Sequence, residues 1–348
     1  MIWDFDSIFK LPPFGLKQKE KDELFEGVLA ALTEHHRKHC EPYRRITDMA
    51  GPEAPLPVRL FKRHELLSVP REEIVQITTS SGTTGQAVSR IFLDRDTSIR
   101  QRRSLARIVS DFTGNERMPM LIIDSPAVTK ERGLLSARGA GILGFAMLGR
   151  DLTYALDENM ELDMPAIEAF LEKHREEKIL LFGMTYIVWL HFCQALRQKR
   201  VKLDIEGILI HGGGWKKLSD EDISREQFKA SLYETAGIES VSDYYGMIEQ
   251  TGSIFMECEY GRLHASIFSD VSIVDPRRMR ETAGGRGLVQ TDSLIPSSYP
   301  GHRILNEDEG ELIGIDDCPC GRMGKTFKVY GRVQGAEIRG CSNSYERR

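Results

Sequence analysis

From residue 55 onward the chain alternates short apolar runs with longer polar stretches, and this alternation restricts it to an α/β architecture. Strands are predicted at Ile74–Thr78, Ser89–Leu93, Met120–Asp124, Ile179–Phe182, Gly207–His211 and Val241–Tyr244. Between them, Thr97–Phe112, Pro165–Glu176, Ile187–Lys199 and Ser219–Ala236 read as helices. Beyond about residue 250 the apolar runs crowd together and glycines become denser, at Leu263–Phe268, Val271–Asp275, Gly287–Gln290 and Phe327–Tyr330. That is the pattern of a smaller β-rich subdomain built from hairpins. Before the alternation begins, Leu24, Phe25, Val28, Leu29 and Leu32 recur at helical spacing within Lys17–Cys40, an amphipathic surface helix. The expected division is an N-terminal helical segment (1–50), an α/β core (51–250), a β-rich subdomain (251–330) and a C-terminal tail (331–348).

Composition narrows the function classes. A chain of 348 residues with 41% hydrophobic and 28% charged residues can bury a large core. A net charge of −5 argues against a general nucleic-acid or membrane-surface binder. The opening Met1-Ile2-Trp3-Asp4-Phe5-Asp6 has acids where a signal peptide has a basic and then an apolar run. No later stretch approaches the ~18 uninterrupted apolar residues of a membrane span. The expectation is a cytoplasmic protein with no membrane span and no nucleic-acid partner. Six cysteines are too sparse for a disulfide scaffold, so the thiols are there for metal, catalysis or packing, and Cys40 and Cys193 read as packing residues. The His35, His36 and His39 group reads as a solvated helix end rather than a metal patch.

Several clusters could carry chemistry. Thr78-Thr79-Ser80-Ser81-Gly82-Thr83-Thr84-Gly85 lies between two predicted strands, and its small residues let consecutive N–H groups and hydroxyls cradle phosphate oxygens. It lacks the Gly-Lys-Ser/Thr ending of a Walker loop. His211-Gly212-Gly213-Gly214-Trp215 follows a strand, where ligands bind in open α/β sheets. Asp243-Tyr244-Tyr245-Gly246-Met247-Ile248-Glu249-Gln250 ends another strand and offers an aromatic face for a base and a carboxylate for Mg²⁺. Cys258, His264, Cys318 and Cys320 could close a tetrahedral zinc site, although from spacing alone they read equally as ordinary residues flanking turns. Cys341 stands near the chain end among Arg332 and Arg339, which favour a reactive thiolate.

The Ser-Ser-Gly-Thr-Thr-Gly loop, the Gly-Gly-Gly strand end, the Tyr-Gly-x-x-Glu loop, Thr291-Asp292 and Gly331-Arg332 resemble, in order and across most of the chain, the adenylate-forming enzymes. Within them the chain looks most like the LuxE-type acyl-protein synthetases of bacterial fatty-acid reductase systems, and less like the phenylacetate–CoA ligases. Ile210 to Leu218, Cys318 to Arg322 and above all Glu337 to Ser342 carry that choice. The resemblance implies an α/β fold of two α/β subdomains plus a smaller β-rich one, with no C-terminal lid domain.

It also implies roles. Ser80, Ser81, Gly82, Thr83, Thr84 and Gly85 would bind the phosphates of ATP, with Gly213, Gly214, Tyr245 and Gly246 completing the nucleotide site. Tyr244 would stack on adenine and Asp243 meet its amino edge, Asp292 would bind the ribose hydroxyls, and Arg332 would reach the ribose or a phosphate. Glu249 would hold Mg²⁺, and Gly183, Met184, Thr185 and Tyr186 would border the acyl pocket. Relatives similar at Cys258, His264, Cys318 and Cys320 favour zinc there. Two positions depart from the family pattern: Gln86-Ala87-Val88 replaces the usual Pro and Lys after the loop, and Ile248 replaces a threonine, with Thr84 or Thr251 as substitutes. The expected reaction is activation of a fatty or aromatic carboxylic acid to acyl-AMP, then transfer to Cys341 as a thioester for a partner acyl-thioester reductase. Two alternatives stay open: a ligase that uses coenzyme A or a carrier-protein thiol, and a non-catalytic zinc-stabilised subunit of a reductase complex.

Overall fold

The computed structural model describes residues 4–80, 88–129, 137–214, 223–250, 252–282 and 284–333. In chain order its strands are β1 (Leu56–Pro57), β2 (Ile74–Thr79), β3 (Arg90–Asp94), β4 (Met118–Ile123), β5 (Gly149–Tyr154), β6 (Ile179–Met184), β7 (Gly207–Gly212) and β8 (Ser240–Tyr245). They continue with β9 (Phe255–Glu257), β10 (Leu263–His264), β11 (Ser269–Asp275), β12 (Arg280–Glu281), β13 (Arg286–Ser293), β14 (Arg303–Ile315) and β15 (Lys325–Arg332). Two compact units result, one formed by residues up to Phe112 and from Tyr245, the other by Thr113–Tyr244.

The Thr113–Tyr244 unit is a parallel sheet in the order β8-β7-β6-β4-β5. Parallel strands covered on both faces read as continuous apolar runs, and β6 and β7 are buried at every position. β5 escaped prediction because Arg150, Asp151 and Leu152 are exposed on an edge strand that, among the described residues, pairs with β4 alone. The strand order reverses beside β4, which has β5 on one side and β6 on the other. The carboxyl ends of β4 and β6 therefore flank a topological switch point, where open α/β sheets bind ligands. The helix after β6 is not regular: Val188–Gln194 forms a π-helical segment between Thr185–Ile187 and Ala195–Lys199. Cys193 is fully buried in it, as a packing residue should be.

The other unit carries an antiparallel sheet in the order β12-β11-β13-β14-β15-β10-β9, with β1 parallel to β14 and β2–β3 as a separate hairpin. β14 was not predicted, because its thirteen residues include Glu307, Asp308, Glu309 and Glu311. It forms nonetheless, since β13 and β15 pair with it on its two sides and its acids are only partly buried. One core packs Tyr43, Phe61, Ile91, Leu93, Tyr299 and Ile304, and another packs Phe255, Val271, Ile273, Val289 and Phe327.

Helix Gln18–His39 is amphipathic as predicted, with Phe25, Val28, Leu29 and Leu32 buried, but its inner face also carries charge. Lys21, 1% exposed, lies 2.8 Å from Asp270 Oδ1, and Lys325 Nζ lies 2.8 Å from Asp270 Oδ2. The solvated reading of the histidine group fails at His36. It is fully buried, its Nδ1 2.8 Å from Ser68 Oγ, and its ring stacks on His302 at 4.9 Å. Burial pushes its pKa well down, so it packs as a neutral ring.

Candidate active site and metal centre

At the carboxyl ends of the parallel strands, six expected positions come together with two from the glycine turn. Gly183 pairs with His211 across the β6–β7 ladder and with Ile123 across β4–β6, and Gly212 pairs with Tyr244. Gly183, Met184, Thr185, Gly213, Asp243 and Tyr244 thus lie at one end of one sheet, with Gly214 and Tyr186 one residue beyond. Glycine is required at 212 by close approach: a Cβ there would sit 2.3 Å from Tyr244 Cε1. Gly213 has φ of +104°, the region that favours glycine. The Tyr244 ring rests against Phe145 at 5.1 Å and Phe182 at 6.3 Å, so its seat is aromatic and preformed. Asp243 is buried, with Arg225 Nη2 3.6 Å and His211 Nδ1 3.8 Å from its carboxylate.

Nearby, Asp124 closes β4 and is wholly buried in an ion pair with Arg138, whose Nε donates to Oδ2 at 2.7 Å. Sequence reading passed over Arg138 because it sits in helix Ala137–Ala146, whose Gly-rich run Arg138-Gly139-Ala140-Gly141 gives no helical signal.

The other unit holds the remaining candidates. Ser80 closes the base of the β2–β3 hairpin: its N–H donates to Ser89 O at 3.1 Å and its Oγ accepts from Ser89 N at 2.9 Å. Ser81, Gly82, Thr83, Thr84 and Gly85 lie outside the described residues, as do Thr251 and Cys341. Glu249 is buried in the 3-10 turn Ile248–Gln250. Its neighbour Gln250, which sequence reading gave no role, donates from Nε2 to both Thr291 O and Gly301 O at 3.0 Å. This glutamine, 1% exposed, ties the turn carrying Glu249 to the strand carrying Asp292. Asp292 accepts from Gln290 Nε2 at 3.2 Å and lies 4.0 Å from Arg303. Burial pushes its carboxyl up to about 6, against the pull of Arg303.

Tyr245 and Arg332 share one network. Tyr245 donates to Asp308 Oδ2 at 2.8 Å, and Arg332 sits 3.7 Å from Asp308 and 3.5 Å from Glu307. Burial and then the Asp308 charge raise the Tyr245 pKa well above the usual phenol range. Gly246, next along the chain, is exposed.

Cys258, His264, Cys318 and Cys320 do converge: their donor atoms all lie within 4.8 Å of one another. Each half is built on a tight turn ended by a left-handed glycine. Gly261 N donates to Cys258 O at 2.9 Å and Gly321 N to Cys318 O at 3.0 Å, with φ of +68° and +83°. The donor set fits zinc: a tetrahedron with bonds of about 2.0–2.3 Å has edges of about 3.5–3.8 Å. Cys258 Sγ and Cys318 Sγ are 3.8 Å apart, and Cys320 Sγ and His264 Nε2 are 3.4 Å apart. Burial, with Arg322 and Arg262 adding to it, lowers His264 to about 4, leaving a neutral imidazole with a lone pair to offer. Burial pushes the Cys318 thiol up to about 12, a cost that ligation as thiolate would offset.

The solved structures that share this architecture place it in a class. A crystal structure of 2-hydroxyisobutyryl-CoA ligase, with 2-HIB-AMP and CoA, superposes with a TM-score of 0.66 at 18% identity, covering 94% of this chain and 81% of that one. The same ligase in its postadenylation state with R3-HIB-AMP gives 0.63. The fold is therefore that of the adenylate-forming acid ligases.

The sequence profile described as acyl-protein synthetase, LuxE, matches residues 3–348, and the chain belongs to that family. The long-chain-fatty-acid–luciferin-component ligase of Aliivibrio fischeri is 24% identical over 97% of this chain and 92% of its own length. That of Vibrio harveyi is 22% identical with the same coverage.

Proposed function

We propose that this protein activates a long-chain fatty acid with ATP and then carries the acyl group as a thioester on Cys341, for a partner acyl reductase. The family match over nearly the whole chain carries the reading. Activation is in-line displacement: a carboxylate oxygen bonds to the α-phosphorus, the α–β phosphoanhydride bond breaks, and pyrophosphate leaves. Tyr244 and Asp243 would hold the adenine, Asp292 the ribose, and Ser80 with the loop after it the phosphates. Glu249, a buried carboxylate, would hold Mg²⁺, which would supply charge neutralisation for the leaving pyrophosphate. In the second step the Cys341 thiolate attacks the acyl carbon, the bond to AMP breaks, and AMP leaves with the electron pair.

Val333 N is anchored to Glu307 O at 3.0 Å. Cys341 follows eight residues later, a reach of at most about 29 Å in extended chain. Cys258, His264, Cys318 and Cys320 would hold a structural zinc ion, joining the β9–β10 hairpin to the turn after β14.

The test is incubation with ATP and radiolabelled fatty acid. Wild type should acquire hydroxylamine-labile label, while Cys341→Ser should lose it and keep fatty-acid-dependent ATP–pyrophosphate exchange. Persistent label on Cys341→Ser would refute the tail nucleophile and favour an external thiol acceptor.

A further inference from the structure

Between β6 and β7 runs a polar chain that starts at His211, a residue to which the proposed reaction assigns no part. His211 Nδ1 lies 3.0 Å from Thr185 Oγ1, and Thr185 Oγ1 lies 3.4 Å from the carbonyl of Gly213. A carbonyl can only accept, so the Gly213 contact takes the single proton of the hydroxyl. The Thr185 oxygen is then left to accept, and the only donor His211 can offer it is Nδ1–H. The ring is 0% exposed and packs on Phe228 at 4.9 Å, and burial pushes its pKa down to about 3. It is therefore neutral, with one proton to place. Asp243 Oδ1, 3.8 Å from the same nitrogen, favours that proton at Nδ1.

We propose that His211 is the positioning residue of the Gly212–Gly214 turn and acts through Thr185, in a relay from Nδ1–H to Oγ1–H to the Gly213 carbonyl. The proposal rests on reading this turn as part of the nucleotide and acyl site. Gly213, at φ of +104°, has no side chain of its own to hold the turn, and Gly212 is pressed against Tyr244. A fixed carbonyl at 213 keeps the turn, and with it the Tyr244 seat, in one arrangement. Losing such a constraint shifts groups by about an ångström, enough for roughly a hundredfold loss in rate. Because His211 stays neutral, the relay adds no pH dependence near neutrality.

The experiment compares His211→Leu, which removes the donor, with His211→Asn, whose amide can place an N–H where Nδ1 stands, and Thr185→Val with Thr185→Ser. Fatty-acid-dependent ATP–pyrophosphate exchange is read as KM for ATP and kcat, alongside melting temperature. His211→Leu and Thr185→Val should each fall roughly tenfold to a hundredfold. Asn and Ser should recover most of the loss, and the Leu/Val double variant should be no worse than the poorer single one. Additive losses, unchanged kinetics in Leu or Val, or no recovery in Asn and Ser would overturn the relay.

Should His211→Leu fail to fold, the Thr185 pair decides alone. Long-range ¹⁵N correlation on histidine-labelled wild type gives a readout independent of activity. A resonance assigned through His211→Asn as the Nδ1–H tautomer supports the relay, and the Nε2–H tautomer sinks it. Exchange activity absent from wild type would overturn the nucleotide-site reading, while the tautomer would still decide the relay.

Discussion

Asp270→Asn tests the account of what holds the β-rich sheet to the N-terminal helix. The carboxylate is shared by Lys21 and Lys325, each 2.8 Å away, and Gln18 Nε2 adds a contact at 3.2 Å. Lys21 is 1% exposed and cannot swing into water, so the amide leaves a buried ammonium without its counter-charge. Breaking a buried pair in this way costs about 3–5 kcal/mol. For a unit on the order of 200 residues that lowers the melting temperature by roughly 10 °C.

Differential scanning calorimetry at pH 7 reads it, and Lys21→Met in the Asp270→Asn background should restore a large part by removing the stranded charge. Burial pushes the Asp270 carboxyl up, but the two ammonium groups outweigh it and hold its pKa below the usual value. The stabilisation is therefore complete above the unfolded pKa of about 3.9 and is lost as pH falls below it, so the gap between wild type and Asp270→Asn should close in acid. A variant that melts within a degree or two of wild type at pH 7, or a Lys21→Met double variant with no recovery, would refute the argument.

Other consequences follow from single contacts. Gly212→Ala places a methyl 2.3 Å from Tyr244 Cε1 and must displace the ring by roughly 1 Å, so pyrophosphate exchange should fall about tenfold or more with the fold retained by circular dichroism. Cys318→Ser should bring zinc measured by elemental analysis from near one equivalent to near zero and lower the melting temperature; wild type purified without metal, and stable in chelator, would remove the zinc reading. Asp292, raised to about 6, should lose its charge as pH drops through that value, so the KM for ATP should climb below pH 6 in wild type and stay flat in Asp292→Asn.

The order of motifs and the alternation of apolar runs made the fold class legible, because fully buried parallel strands must be apolar throughout and their loops must be small where a ligand approaches. β6, β7 and the glycine turn show this directly. The family resemblance, too, was written in local runs such as Ile210 to Leu218. What local pattern could not convey is pairing at a distance. β14 is a strand because β13 and β15 flank it, whatever its acids suggest in isolation. Lys21 and His36 look like solvent-facing residues of an amphipathic helix until Asp270 and His302, more than two hundred residues away, supply their partners.

The four candidate metal ligands show the division most plainly. Residue type marked them as possible ligands, but whether Cys258 and His264 meet Cys318 and Cys320 depends on β10 pairing with β15 across sixty residues of chain. Residue type and periodicity act over a few positions and so determine which elements form and what chemistry each can offer. Only the tertiary structure brings donor and acceptor together, because burial and proximity are properties of the packed chain.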